Sequence, residues 1–125
     1  MAELLSTSDA LVVAVPLTEH TRGLISAREL ATLPAGALVV NVARGAVVDE
    51  PALVAALRSG AVSGAALDVF ATEPLAADSP LRTLDTVLLS PHLAGGSDTA
   101  RRKIYEMTAE NVARVCAGDR PRWTL

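Results

Sequence analysis

Four short apolar runs, rich in valine, constrain the fold of this chain more than any other feature. They are ALVVAVP (10–16), ALVVNVA (37–43), GAALDVF (64–70) and TVLLSP (86–91). The first two are apolar almost without interruption, which is typical of strands that are covered on both faces of a parallel sheet. The stretches between the first three runs are long enough for right-handed strand–helix–strand connections. The runs therefore predict an α/β fold built on a parallel sheet.

Helix signals fall between these runs. In SARELATL (26–33), Ser26 is followed three residues later by Glu29, the spacing of a capping box. In DEPALVAALRSG (49–60), Asp49 is a suitable N-cap, a proline lies in the first turn, and a glycine follows the last turn. Both segments are predicted to be helices that connect neighbouring strands.

The remainder of the chain shows a different pattern. Residues 71–85 contain two prolines and no helical period, which predicts an ordered loop with at most one turn of helix. A long helix is predicted over about residues 97–117, with Ser97 or Asp98 as its N-cap and apolar residues near one face. Trp123 is a candidate anchor for the polar tail that follows.

Composition and charge narrow the classes of function. The chain has 125 residues, half of them apolar, which is enough for one domain with a hydrophobic core. Its net charge is −3 and it has no basic stripe, so nucleic acid is not an expected partner. A single cysteine, Cys116, excludes an internal disulfide and fits the reducing cytoplasm. No signal peptide, transmembrane run or membrane partner is predicted.

Chemically distinctive residues fall at the ends of all four apolar runs. Pro16 ends the first run, Arg44 and Gly45 follow the second, Glu73 follows the third, and His92 follows the fourth. Because ligands bind at the carboxyl ends of strands in open parallel sheets, we expect these residues to meet at one edge. Taken singly, the arginine could be a solvated loop residue, the glutamate a turn residue and the histidine a surface residue. Their shared edge favours a site.

These residue types suit one kind of chemistry. A carboxylate such as Glu73 stabilises a protonated imidazole, so Glu73 and His92 would form an acid–base unit. The guanidinium fork of Arg44 binds a carboxylate with paired hydrogen bonds. Asp68 lies inside the third apolar run, where a carboxylate is unfavourable unless it is paired or at the wet end of the strand. The set suits a substrate with a carboxylate beside a C=O or C–OH group. Since none of these side chains accepts the two electrons of an oxidation, we expect an organic redox cofactor and no metal site.

The stretch LPAGALVVNVARGAVVDEPALVAALRSGAVSGAALDVFATEPL (33–75) resembles the long signature of the D-isomer-specific 2-hydroxyacid dehydrogenases. PLTEHTRGLI (16–25) and SPHLAGGS (90–97) resemble its flanking motifs, so the resemblance covers essentially the whole chain. It implies the second half of a Rossmann-type doubly wound parallel sheet, followed by a long C-terminal helix. It also implies hydride transfer between NAD or NADP and a small 2-keto or 2-hydroxy acid.

The resemblance implies a role for each candidate residue. Arg44 would bind the substrate carboxylate and carbonyl, Glu73 would orient His92 and stabilise its protonated form, and His92 would give or take the proton. Gly45 would let the backbone turn closely beside the cofactor. The residues that would line the cofactor are Val15, Pro16 and Thr21 on the adenosine side, Asp68 at the nicotinamide end, and Val42, Ala43, Arg44, His92, Ala94 and Gly95.

The sequence departs from this family in what it lacks. It contains no G-x-G-x-x-G loop and no acidic residue for the ribose hydroxyls, so we expect residues 1–125 to be a partial NAD-binding domain without its glycine-rich half or a substrate domain. SPLRTLDTV (79–87) also replaces a more hydrophobic family stretch.

We therefore expect a fragment of an enzyme that is a homodimer in its full-length form. A non-catalytic dinucleotide-binding or regulatory module of the same descent is the alternative, and a separate chain that supplies the first half is a third possibility. The substrate stays open among glyoxylate, hydroxypyruvate, lactate-like acids and phosphoglycerate, and so does NAD against NADP.

Overall fold

The computed structural model describes residues 1–124, which divide into an N-terminal unit, Met1–His92, and a C-terminal unit that begins at Leu93. The N-terminal unit contains four strands, three α-helices and two short 3₁₀ turns, and the C-terminal unit contains one long helix. In chain order these are α1 (Ala2–Thr7), β1 (Ala10–Val13), α2 (Ala27–Leu30), β2 (Leu38–Asn41), a 3₁₀ turn (Gly45–Val47), α3 (Glu50–Ser59), β3 (Gly64–Leu67), a 3₁₀ turn (Pro80–Thr83), β4 (Val87–Leu89) and α4 (Asp98–Cys116).

The four strands form one parallel sheet in the order β1-β2-β3-β4. In this register Leu11 lies beside Val39, Val39 beside Ala65, and Ala65 beside Val87. The predicted α/β fold with a parallel sheet is confirmed. Because all strands run in one direction, the loops that follow them all leave from the same edge of the sheet.

One face of the sheet carries the hydrophobic core. Alternate residues such as Leu11, Val39 and Leu67 are buried on that face, as the two-residue period of a strand requires. Leu30 of α2 and Leu53 of α3 belong to the same buried cluster. Full burial of a leucine side chain contributes about 1.5–3 kcal/mol, so the helices and this face of the sheet stabilise each other.

The other face of the sheet differs from the prediction. Val12 is 59% exposed and Leu38 is 47% exposed, so the prediction that the first two strands are covered on both faces is wrong for residues 1–124. The near-continuous apolar runs place apolar side chains on both faces. The buried residues of α2 and α3, however, join only the cluster on the first face.

The predicted helix ends are present. Glu29 accepts a hydrogen bond from the Ser26 backbone N–H at 3.1 Å, and the capping box of α2 is complete. Asp49 caps α3 by accepting from the Ala52 N–H at 3.0 Å. Gly60 follows that helix in the left-handed region, with φ of 76°. Each contact satisfies a backbone group that a helix end leaves unpaired.

In the C-terminal unit, Ser97 is the N-cap of α4. Asn111 of α4 accepts from the backbone N–H groups of Arg122 and Trp123, at 2.9 and 3.1 Å. The Trp123 indole N–H also donates to Glu110 at 3.0 Å, so this residue anchors the tail as predicted. No helix within residues 1–124 is both long and apolar enough to cross a membrane.

Gly45 packs against the backbone that follows β3. A Cβ atom at this buried position would lie 1.9 Å from both the carbonyl carbon and the carbonyl oxygen of Phe70. The residue therefore allows the loop after β2 to pack directly against the backbone after β3. This close approach by itself requires a glycine, and the expected turn beside a cofactor stays a prediction.

We predict that Gly45→Ala lowers the free energy of unfolding by about 3 kcal/mol or more, because the added methyl group would overlap rigid backbone. Gly95→Ala is the matched control, since a Cβ there has no heavy atom within 4 Å. Its effect should stay within about 0.5 kcal/mol. Urea denaturation measures both values, and similar stabilities for the two variants would contradict the packing assigned to Gly45.

Candidate functional site

The carboxyl ends of β3 and β4 are joined through Asp68, which directly follows β3. The Asp68 carbonyl accepts from the His92 N–H at 2.8 Å. Its carboxylate accepts from the Ser90 hydroxyl at 2.6 Å. Asp68 is only 4% exposed, so this hydroxyl supplies part of the stabilisation that a buried carboxylate needs. The backbone after β4 is thus fixed against the backbone after β3.

Glu73 and His92 form the pair that the sequence predicted. Glu73 Oε2 lies 2.8 Å from His92 Nδ1, and Glu73 Oε1 accepts from the Phe70 N–H at 3.0 Å. The Glu73 side chain is 36% exposed and that of His92 is 44% exposed, so both remain accessible to a ligand. The hydrogen bond from His92 is the largest cause that holds the pKa of Glu73 below its usual 4.5, and the Phe70 N–H adds to it. Partial burial opposes this lowering, and the nearby charges of His92 and Arg44 support it.

The charge on Glu73 fixes the orientation of the histidine ring. An ionised carboxylate only accepts hydrogen bonds, so Nδ1 of His92 must be the donor in this contact. In the neutral ring the proton then resides on Nδ1, and Nε2 keeps its lone pair. Nε2, which does not contact Glu73, is therefore the ring nitrogen that stays available to a ligand.

The His92 backbone lies in a conformation that favours glycine. Its φ of 57° is in the left-handed region, which costs a residue with a Cβ about 1–2 kcal/mol. The hydrogen bond from its N–H to Asp68 and the contact of its ring with Glu73 hold it there. Such backbone strain concentrates at functional sites.

Arg44 follows β2 at the same edge of the sheet. Its Nη1 donates to the Ala43 carbonyl at 2.6 Å, and the residue is exposed. Buried Asn41 shapes this turn, because its amide donates to the Arg44 carbonyl at 3.2 Å and accepts from the Ala43 N–H at 3.1 Å. The positive charge of Arg44 is close enough to contribute to the lowered pKa of Glu73.

The sequence analysis did not identify two residues that support the pair. Glu50 accepts from the Ala71 N–H at 3.0 Å, so a carboxylate of α3 holds the amide next to the one that Glu73 binds. Ser90 is the other, through its bond to Asp68. Glu50 follows the N-cap of α3 and Ser90 lies two residues before His92, but neither position reveals its long-range partner.

A cavity of about 550 Å³ lies beside the pair. Its size is within the range of about 300–1,000 Å³ that is typical of small-molecule sites. Its walls combine apolar and charged side chains, which include Phe70, Glu73, Arg82, Leu89, Ser90 and His92. The predicted residues Glu73 and His92 thus line one cavity, whereas Arg44 and Asp68 are not among its walls.

The residues predicted to line a cofactor follow different strands. Val15 and Pro16 are exposed after β1, and Val42 is exposed after β2, the neighbouring strand. Ala43 is buried. The Thr21 hydroxyl donates to the Pro16 carbonyl at 2.7 Å and accepts from the Thr18 N–H at 2.7 Å, so it braces the loop after β1.

Ala94 and Gly95, the last two of these residues, belong to the C-terminal unit and are exposed there. Within residues 1–124, no group of three or more histidine, cysteine or acidic side chains could hold a metal ion.

Comparison with known proteins identifies the family. Residues 1–94 match the family described as D-isomer specific 2-hydroxyacid dehydrogenase, NAD binding domain. The chain is 46% identical to (S)-sulfolactate dehydrogenase of Chromohalobacter salexigens over 92% of its length and 37% of that protein. It is 44% identical to glyoxylate reductase of Thermofilum pendens over 94% of its length and 35% of that protein.

A solved protein structure also resembles this chain. The D-isomer specific 2-hydroxyacid dehydrogenase of Xanthobacter autotrophicus Py2, solved in complex with NADPH and MES, is 51% identical and superposes with a TM-score of 0.84. The match covers 94% of this chain and 48% of that one. The chain belongs to the D-isomer specific 2-hydroxyacid dehydrogenase family and has its Rossmann-like fold. It spans about a third of the length of these curated relatives.

We predict that Glu73→Gln removes a contribution to the free energy of unfolding that depends on pH. Because the pKa of Glu73 is lowered in the folded protein, its contribution is complete above the usual value of 4.5 and is lost as the pH falls through the lowered value. The parent should therefore exceed the variant in stability at neutral pH, and the difference should shrink below about pH 4.5.

Urea denaturation at several pH values between about 3 and 7 measures this difference. The control repeats this comparison in a His92→Gln background. That substitution removes the largest cause of the lowered pKa of Glu73, so the stability difference should depend less on pH. A difference between parent and Glu73→Gln that is constant with pH would contradict the pairing.

Proposed function

We propose that this chain is the second half of the NAD-binding domain of a 2-hydroxyacid dehydrogenase that transfers a hydride between NAD(P)H and a small 2-keto or 2-hydroxy acid. The observation that carries the proposal is the hydrogen bond between Glu73 and His92 beside a cavity at the carboxyl edge of the sheet. Its relatives support the same reaction class, since those reported above are named as dehydrogenases or reductases of hydroxy or keto acids.

The edge of the sheet fits part of a nicotinamide dinucleotide. Val15 and Val42 expose apolar side chains after neighbouring strands, a surface suited to flat rings. We propose that these residues, with Pro16, Thr21 and Ala43, lie along the cofactor and that Asp68 lies at its nicotinamide end. Arg44, His92, Ala94 and Gly95 would complete this lining. When bound, the cofactor supplies or accepts the hydride.

The side chains of this chain would handle the substrate and the proton. The Arg44 guanidinium would pair with the substrate carboxylate and bind the carbonyl oxygen. In the reduction, protonated His92 would give a proton from Nε2 to the carbonyl oxygen while a hydride adds to the carbonyl carbon. Glu73 would stabilise the positive ring before this step and hold it in place. In the oxidation, neutral His92 would take the hydroxyl proton at Nε2.

We further propose that the complete enzyme is a cytoplasmic homodimer. The single cysteine, Cys116, is free and exposed, which suits a reducing compartment. The exposed apolar face of the sheet and the short span relative to the family members support the view that further chain completes the domain.

The decisive experiment joins this chain to the parts that it lacks. Residues 1–124 replace the matching segment of the Xanthobacter autotrophicus dehydrogenase, and the chimera is assayed with NADH and NADPH. Glyoxylate, hydroxypyruvate and pyruvate serve as substrates.

His92→Gln should lower kcat about 10²- to 10⁴-fold, because the proton donor is lost. Arg44→Ala should raise KM more than Arg44→Lys, since lysine keeps the charge but loses the paired hydrogen bonds.

Arg58→Gln serves as a control, since Arg58 lies in the last turn of α3 and is exposed. It should leave kcat/KM within about twofold of the parent chimera. Turnover that survives His92→Gln unchanged would contradict the assigned role. A chimera that binds NADPH but reduces none of these acids would instead favour the non-catalytic regulatory module.

A further inference from the structure

We propose that Arg82 provides a second anion-binding position in the cavity beside His92, so that the preferred substrate carries a second negative group beyond its 2-keto carboxylate. The assignment rests on the proposed function, because it takes the keto group to be bound by His92, which lines this cavity, and the first carboxylate by Arg44, which lies outside its walls. It adds the class of substrate, a dianion with a distal carboxylate, sulfonate or phosphate group.

The position of Arg82 carries the inference. It lies in the 3₁₀ turn Pro80–Thr83 and lines the same cavity as Glu73 and His92. A cavity of about 550 Å³ has room for the part of a substrate that extends from His92 towards Arg82.

The guanidinium of Arg82 is held in place but is not neutralised. Its Nε donates to the Ala76 carbonyl at 2.9 Å, and its Nη2 donates to the Leu75 carbonyl at 3.0 Å. Both acceptors are uncharged. Of the five N–H groups of a guanidinium, these bonds use two, which leaves three. Within residues 1–124, Arg82 forms no ion pair with an acidic side chain.

The acidic side chain of the cavity wall does not pair with Arg82. Glu73 is the acidic side chain of the cavity wall, and both of its oxygens are engaged, one with His92 and one with the Phe70 N–H. Arg82 is exposed, and Phe70 and Leu89 supply apolar walls of the same cavity. A fixed guanidinium in such surroundings matches the geometry of a carboxylate, sulfonate or phosphate.

A purely structural role for Arg82 makes a different prediction. Its two hydrogen bonds also brace residues 75–82, so its loss could loosen that loop. Loosening would weaken the binding of every acid in the cavity. A second anion-binding position would weaken only the binding of dianions, and a lysine would partly preserve that preference because it keeps the charge.

The test measures the binding of matched acids to the 125-residue chain by nuclear magnetic resonance titration at pH 7. D-malate is compared with D-lactate, and D-3-phosphoglycerate with D-glycerate, so that the two pairs distinguish a distal carboxylate from a phosphate. We expect at least one dianion to bind about fivefold or more tightly than its monoanionic partner. Arg82→Gln should reduce that preference to within about twofold and leave monoanion binding unchanged.

Arg82→Lys should keep part of the preference, and the control Arg58→Gln should keep all of it. The proposal is overturned if neither dianion is preferred by the parent, or if Arg82→Gln retains the preference. It is also overturned if Arg82→Gln and Arg82→Lys both weaken dianions and monoanions equally. Keto-acid turnover in the chimera tests the proposed function separately. A dianion preference without turnover would contradict only that function, and turnover without the preference would contradict only the role of Arg82.

Discussion

The hydrogen bond between Glu73 and His92 is the contact on which the candidate site depends. It fixes the imidazole ring, makes Nδ1 the donor and leaves Nε2 for a ligand. Its two partners lie in the loops after β3 and β4, which Asp68 also joins. Glu73 is held by the Phe70 N–H, and the adjacent Ala71 N–H is held by Glu50 of α3. The pair is therefore supported by a helix and by two strand ends, although the loops around it lie at the surface.

The parallel sheet explains why these loops meet. Every strand delivers its following loop to the same edge, and register places β3 beside β4. Asp68 then joins the two loops through its carbonyl and its carboxylate. Close approach at Gly45 brings the loop after β2 against Phe70, which places Arg44 near enough to influence Glu73. The packing of these loops and the charges around Glu73 thus both follow from the parallel order of the strands.

Much of this arrangement could be predicted from the sequence. The apolar runs gave the strands, and local capping signals at Ser26 and Asp49 gave the helix starts, because both depend on residues close together in the chain. Glu73 and His92 could be paired because topology brings strand ends together. The short helix α1 was not predicted, since six residues with no side-chain cap leave little signal.

Long-range features were harder to predict. The roles of Glu50 and Ser90 depend on partners 21 and 22 residues away, and no local pattern specifies such contacts. The apolar runs indicated buried strands but not whether both faces are covered within residues 1–124. Gly45 was recognised as unusual, but its close approach to the backbone of Phe70 is seen only in the folded chain.

The tautomer of His92 is the most direct test of the central contact, and long-range ¹H–¹⁵N nuclear magnetic resonance of the neutral ring measures it. We expect the neutral ring of the parent protein to carry its proton on Nδ1, and we expect Glu73→Gln to move that proton towards Nε2. A proton on Nε2 in the parent protein would contradict the central claim.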